Sequence, residues 1–372
     1  MVSILSFLYF CKTISVRIGI ESREDNMESS EKNIKVVTLG EIMLRLSPPS
    51  YQKIMQATSF NAFFGGSEAN VAISLAILGL SSHYVTKLPK NDLGDAVLCE
   101  LKKYGVSVEH VLRGGERLGI YFAETGYSMR PSKVIYDRKH SAIAETKDSE
   151  FDFEKIFEGV THFHFSGITP SLSDSAFKLS KTALITAKKK GISVSCDLNY
   201  RKKLISEEEA QRKMPELMQY VDICIGNEED AQKMLGIKTQ NVQPNHELLS
   251  RQTYYDVCKK MQERFGFKYV ATSLRESYGA CRNGWQALLY NGRDAFYSME
   301  YTIDIIDRLG GGDAFSAALI YSLLKEKSEQ DTVDFAVAAS ALKQTIPGDF
   351  NLATVEEIER LVAGDASGRV IR

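Results

Sequence analysis

From residue 34 onward the chain repeats one pattern: a short, uninterrupted apolar run followed by a longer helical stretch. Residues 35–39 (KVVTL) read as a buried strand stopped by Gly40. Further strands are expected at 83–88, 161–165, 192–198, 222–226 and 268–274. Helices are expected at 69–78, stopped by Gly79, and at 95–104, stopped by Gly105, since glycine takes the left-handed conformation that ends a helix. Others fall at 174–190, 206–219, 228–235 and 250–264. Strands that are apolar throughout must be covered on both faces, and strand–helix–strand order sets successive strands parallel. The expected class is therefore α/β, with a central, mostly parallel sheet and helices on both faces.

Two segments break the rhythm. Residues 41–64 and 118–138 alternate apolar and polar positions, with turn residues between, as antiparallel strands do. The economical arrangement is one small β-sheet, built from both excursions and packed as a lid over the main domain. Residues 1–33 are expected to lie outside the fold as an N-terminal extension, with 34–363 forming the domain and 364–372 a tail. Residues 2–10 (VSILSFLYF) are apolar but far short of the ~20 residues that cross a bilayer. No positive charge precedes them, so they do not read as a signal peptide.

Four clusters carry chemistry. The strongest is Asp307-Arg308-Leu309-Gly310-Gly311-Gly312-Asp313, followed by the apolar run AFSAALIYSLL. Glycines at a helix start expose N–H groups at the positive end of the helix dipole, where an anion binds. A carboxylate beside that site, Asp313, could take a proton from an attacking alcohol while the N–H groups stabilise the developing charge. The alternative reading of Asp313 is a helix cap. The second cluster is Gly65-Gly66-Ser67-Glu68-Ala69-Asn70, whose glycines permit close approach and whose Asn70 offers donors and acceptors to a polyol. The third, Cys196-Asp197-Leu198-Asn199-Tyr200-Arg201, stands at the carboxyl end of a strand, the edge where open α/β sheets bind ligands. The fourth is Gly226-Asn227-Glu228-Glu229-Asp230. It is a metal or phosphate site in one reading and acids suiting a helix dipole in the other.

Together these clusters resemble the ribokinase-like (PfkB) family of sugar kinases, over about residues 34–362. Within it YDRKHSA (136–142), CDLNYRK (196–202), IGNEED (225–230) and IPGDFN (346–351) look most like the 2-keto-3-deoxygluconate kinases. The resemblance implies Asp313 as catalytic base and Gly310, Gly311 and Gly312 as the anion hole. It implies Gly65, Gly66, Asn70, Tyr121, Tyr136, Arg138 and Arg201 at the sugar. Asn227, Asp230, Ser273, Arg275 and Gly279 would lie at the nucleotide. The resemblance implies ATP and Mg²⁺, the metal carried by the phosphates close to Asp230, and allows a monovalent cation near the loop before the glycines. The pattern departs from the family at Arg308, where threonine is usual, and at Gly311, where alanine is common. Glu68 and Pro89 stand where smaller residues are usual.

The arginines argue for an acid sugar. A guanidinium binds a carboxylate bidentately, and a neutral ketose does not require one. Phosphorylation of 2-keto-3-deoxygluconate to its 6-phosphate is thus the expected reaction. A kinase for a neutral sugar such as fructose or ribose, and a silent sugar-binding relative, are the alternatives. No GxxxxGK[ST] occurs, nor a GxGxxG after the first strand, which excludes P-loop kinases and dinucleotide dehydrogenases. A net charge of −2 excludes nucleic-acid binding by bulk electrostatics. Six cysteines without metal spacing suit buried thiols in a reducing cytoplasm. His162 and His164 share one face of a strand and read as packed core residues. The lid's exposed edges suggest a homodimer clasped through it.

Overall fold

The structure is a computed structural model, and it describes residues 34–238, 251–366 and 368. The expected extension at 1–33 lies outside the described residues, as does most of the 364–372 tail. In chain order the strands are β1 (Lys35–Leu39), β2 (Met43–Ser47), β3 (Asn61–Gly65), β4 (Ser81–Leu88), β5 (Val111–Arg113), β6 (Gly119–Glu124), β7 (Lys133–Asp137), β8 (His162–Ser166), β9 (Ser193–Asp197), β10 (Ile223–Ile225), β11 (Tyr269–Ser277), β12 (Arg282–Tyr290), β13 (Ala295–Tyr297) and β14 (Tyr301–Asp304).

The main sheet runs β13-β12-β11-β10-β9-β8-β1-β4-β5, with β14 also on β12. From β11 to β5 every pairing is parallel. One face is packed by helices Asp174–Lys189, Glu207–Met218 and Arg251–Phe265, through Leu179, Leu184, Met214, Leu217 and Met261. The other is packed by helices Ser67–Ile77, Gly311–Leu324 and Glu329–Lys343, through Val71, Leu75, Phe315, Leu319 and Val337. This is the expected α/β arrangement. It differs at one edge, where the chain turns straight back after β11 and adds β12, β13 and β14 antiparallel.

The two excursions do form one small sheet, in the order β3-β2-β6-β7. Each is an antiparallel hairpin, as expected. The hairpins join through their first strands, and that pairing is parallel, Met43 opposite Gly119 and Leu46 opposite Phe122. Both excursions therefore run in the same direction where they meet.

His162 and His164 are fully buried on β8 and share one hydroxyl, Ser195 Oγ on β9, at 2.8 Å each. Burial pushes their pKa values down from 6.5 to about 4 and about 3. Between pH 6.5 and these values the unfolded chain binds protons that the fold refuses, so stability falls with falling pH by up to ~1.4 kcal/mol per unit for each histidine. We expect His164→Leu to be less stable at pH 7 but to lose stability less steeply on acidification. Urea midpoints measured from pH 7 to 4 check this; identical slopes for the two proteins would refute it.

Candidate active site

Helix Gly311–Leu324 begins at the glycine run, two residues earlier than the apolar pattern suggests, with Gly310 as its N-cap. Gly310 has a left-handed backbone, φ +82°, and a Cβ there would stand 1.9 Å from Asp349 O. Any other residue is excluded twice. A Cβ on Gly312 would meet nothing within 4 Å, so the backbone faces open space there. Gly311, Gly312 and Asp313 are the first turn, whose N–H groups lack intrahelical partners and carry the positive dipole end.

Asp313 is not a cap. Its Oδ1 accepts from Ser67 Oγ and its Oδ2 from Asn70 Nδ2, both at 2.7 Å. Ser67 Oγ in turn accepts from Asn199 Nδ2 at 3.2 Å. Asn199 holds a left-handed φ of +42°, uncommon for a residue with a side chain and frequent at functional sites. Burial pushes the Asp313 carboxyl above its ordinary value, while the bonds from Asn70 and Ser67 pull it back. A raised but hydrogen-bonded carboxylate is what a general base requires. Asn70 thus orients the base, and its Oδ1 also accepts Gly66 N at 3.2 Å.

Gly65 and Gly66 both line the pocket over Asp313, and they also pack closely on the protein itself. A Cβ on Gly65 would stand 2.4 Å from the Asp349 carboxylate, and one on Gly66 would stand 2.0 Å from Glu41 O. These glycines let the lid strand β3 and the helix behind it pack against the floor.

The pocket over Asp313, of ≈ 550 Å³ of atom-free space, is lined by Asn70, Tyr121, Tyr136, Arg138, Asn199 and Arg201, among others. Both arginines reach it, in unequal states. Arg138 is buried, with Nε donating to Glu41 Oε2 at 2.7 Å and Nη2 to the same oxygen. Its charge is largely met within the protein. Arg201 is exposed, and Nη1 donates only to Tyr200 O, at 3.0 Å. The Tyr121 hydroxyl donates to Asp349 Oδ2, so this tyrosine fixes a floor carboxylate. The Tyr136 ring lies tilted beside Tyr121, with centres 5.9 Å apart, and 5.4 Å from the Arg138 guanidinium.

Asn227 and Asp230 are placed elsewhere. Asn227 caps helix Glu228–Leu235, accepting from Asp230 N at 2.8 Å, and Asp230 Oδ2 accepts from Asn227 N at 3.1 Å. Asp230 Oδ1 accepts from Tyr200 N at 2.9 Å. Both carboxylate oxygens thus serve backbone N–H groups in a reciprocal helix cap, and neither residue lines the pocket over Asp313. Ser273 and Arg275 sit on β11, and Gly279 in the turn after it. That turn meets the lid: Ala280 N donates to Ser128 O at 2.7 Å. Arg308 Nη2 donates to Ala280 O at 2.8 Å, and its buried Nε has no partner among the described residues. Burial, and then Arg275, lower the Arg308 pKa.

The sequence reading missed Arg45, Asp349, Glu41, Ser67 and Asn199 as functional residues. Arg45 Nη2 meets Asp307 Oδ2 and Nη1 meets Asp349 Oδ1, each at 2.8 Å. IPGDFN was noticed only for its wording, although Asp349 within it lies under the pocket.

A carboxylate held at the head of a glycine-started helix, under a lid and faced by guanidinium groups, defines a phosphotransferase acting on small hydroxylated molecules. The chain belongs to the pfkB family of carbohydrate kinases, matching it over residues 33–352. It is similar to a 2-dehydro-3-deoxygalactonokinase of Haloferax volcanii, 31% identical across 90% of this chain and 98% of that one. It is also similar to a 2-dehydro-3-deoxygluconokinase of Bacillus subtilis, 26% identical across 87% and 94% respectively. Its fold superposes on the crystal structure of a 2-dehydro-3-deoxygluconokinase from Thermotoga maritima with a TM-score of 0.86. The two are 49% identical across 89% of this chain and all of that one. The fold is ribokinase-like, and the protein is a carbohydrate kinase.

Loss of the Asn70 bond should raise the Asp313 pKa further. Asn70→Ala is expected to lower kcat by about tenfold or more and to move the acid limb of its pH profile to higher pH. A limb at the wild-type position would show that Asn70 does not hold the base.

Proposed function

We propose that the protein transfers the γ-phosphoryl group of MgATP to a hydroxyl of a 2-keto-3-deoxy sugar acid, most directly 2-keto-3-deoxygluconate to its 6-phosphate. The observation that carries this is Arg201, a guanidinium without an ion pair among the described residues, lining the same pocket as the hydrogen-bonded Asp313. The names of the relatives support a keto-deoxy acid and divide over its stereochemistry.

ATP supplies the phosphoryl group and Mg²⁺ screens its charge. The residues present fit the nucleotide at two points: the open space beside Gly312 and the unpartnered Arg308 Nε, with Arg275 close by. The metal is carried by the phosphates, close to Asp230, whose oxygens each accept one backbone N–H and keep a further lone pair. In this reading Arg201 anchors the substrate carboxylate, and Tyr136 and Arg138 border the sugar. The reacting hydroxyl donates its proton to an Asp313 oxygen. The N–H groups of Gly311 and Gly312 take up the charge that develops on the transferring group. The lid excludes water, which would otherwise compete as acceptor. Residues 34–363 are the kinase domain, with 41–64 and 118–138 its lid, acting in the cytoplasm, where ATP and reduced thiols coexist. The neutral-sugar reading draws on the Glu41–Arg138 pair, which leaves a single free guanidinium.

ADP release decides between them, with MgATP and, separately, 2-keto-3-deoxygluconate, 2-keto-3-deoxygalactonate, fructose and ribose, and Asp313→Asn as control. We expect turnover on the keto-deoxy acids alone. Arg201→Ala should raise KM for those acids by on the order of tenfold to a hundredfold, the loss of one charge-assisted pair, with a smaller change in kcat. Turnover on fructose or ribose, unaffected by Arg201→Ala, would overturn the acid-sugar reading and keep the kinase.

A homodimer through the lid is proposed from its apolar exposure. Met129 is 93% and Met55 89% exposed, with Phe60, Tyr127 and Ile135 also outward, all on the lid segments 41–64 and 118–138. Light scattering is expected to give twice the chain mass, and Ile135→Glu with Met129→Glu to give a monomer. A wild-type monomer at working concentration would remove the idea.

A further inference from the structure

Lys343 is the last residue of helix Glu329–Lys343 and has no solvent exposure. A buried ammonium is ordinarily met by a carboxylate. This one donates to three backbone carbonyls: Gly348 O at 2.7 Å, Ile346 O at 3.1 Å and Asp307 O at 3.3 Å. The carbonyls come from two segments. Asp307 O lies three residues before the glycine that caps the anion hole. Ile346 and Gly348 belong to the turn that carries Asp349. The Lys343 Cε would stand 3.1 Å from a Cβ on Gly310, so the stem lies against the glycine turn itself.

Around the ammonium the same two segments are strapped by their own bonds. Gly348 N donates to Asp307 Oδ2 at 3.1 Å. Ile306 N and Asp307 N both donate to Gln344 O, at 2.9 and 3.1 Å. Burial lowers the Lys343 pKa from its ordinary value, Arg45 adding to this, while Asp307, Asp349 and Asp313 favour the charge. Carbonyl oxygens converging on one positive charge in place of its hydration shell are how proteins bind potassium. Ammonium and potassium carry the same charge and differ little in how they meet carbonyls.

We propose that Lys343 Nζ takes the place of a free monovalent cation beside this loop, holding the anion hole in shape from within the chain, so that turnover requires no potassium. The cation that the family resemblance made possible does not fit here, because a covalently tethered one occupies the carbonyls. Lys343 is a positioning residue: it acts through the backbone of residues 307–310 and is not among the residues lining the sugar pocket.

The proposal rests on the kinase activity, and its test separates the two. ADP release is measured at saturating MgATP and sugar acid in choline chloride, then with choline replaced by KCl, NaCl or NH₄Cl. Wild type is expected to turn over equally in all four, within about twofold. Lys343→Met keeps the stem and packing, and Lys343→Ala opens room for an ion. Both are expected to lose on the order of tenfold or more of kcat in choline, as when an oxyanion-stabilising element is displaced, with KM for the sugar little changed. Lys343→Ala should regain rate in KCl or NH₄Cl, and its thermal midpoint should rise in those salts and not in choline. A wild type that needs potassium overturns the proposal, whether or not the variants fold. So does a folded Lys343→Met with wild-type kcat in choline, or a folded, slow Lys343→Ala that no cation restores. Absence of wild-type turnover on any sugar in any salt would instead sink the kinase reading.

Discussion

One buried guanidinium ties the site together. Arg45 rises from lid strand β2 and divides its nitrogens between Asp307, in the loop before the anion hole, and Asp349, in the turn beneath it. Its Nε donates to Ser47 Oγ at 2.8 Å, and its plane lies 5.3 Å from the Phe63 ring centre. Burial disfavours the charge, but Asp349 and Asp307 more than offset this and raise its pKa. A pair this deeply buried is costly to break, because the partner left behind keeps an uncompensated charge worth about 3–5 kcal/mol. The knot joins lid, glycine turn and C-terminal turn in one electrostatic unit. The lid is therefore part of the floor's support as well as a cover.

Charge is graded from that floor to the mouth. Asp197 and Asp349 are buried and Asp313 is half-buried, and desolvation raises the pKa of each. Glu68 is pushed up to about 7, also by burial, although Ser166 and Thr169 donate to it. Higher up, Glu41 and Arg138 neutralise each other, and among the described residues lining the pocket Arg201, at the exposed rim, is the guanidinium without an ion pair. In the proposed reading, recognition of a fixed negative group at the rim and proton transfer at the floor are separated in space. That suits a substrate whose acid and reacting hydroxyl are at opposite ends.

The alternating strands and helices were legible because continuous apolar runs admit few other readings, and Asp313 because glycines before an apolar helix are locally informative. What escaped the sequence is long-range. Arg45 sits in an alternating strand where a polar residue is unremarkable, and its partners stand at 307 and 349. Nothing local reveals that two hairpins join parallel through β2 and β6, or that β11 turns back into β12 instead of entering a helix. Asn227 and Asp230 form the reciprocal cap that an Asn and an acid at a helix start favour, a local arrangement the sequence does show. Gly65 and Gly66 border the pocket as read, and their close packing on Asp349 and Glu41 is a second role that no local pattern announces.

The order of the site residues along the chain has a consequence for synthesis. Most residues lining the pocket lie between residues 41 and 201, whereas Asp313, the glycine turn, Lys343 and Asp349 fall between 307 and 349. A chain emerging N-terminal end first can form much of its sheet and its sugar pocket before any phosphoryl-transfer machinery exists. Arg45 then waits in the growing chain for both of its carboxylate partners. A partly made enzyme cannot consume nucleotide, since the groups that activate transfer arrive together and last.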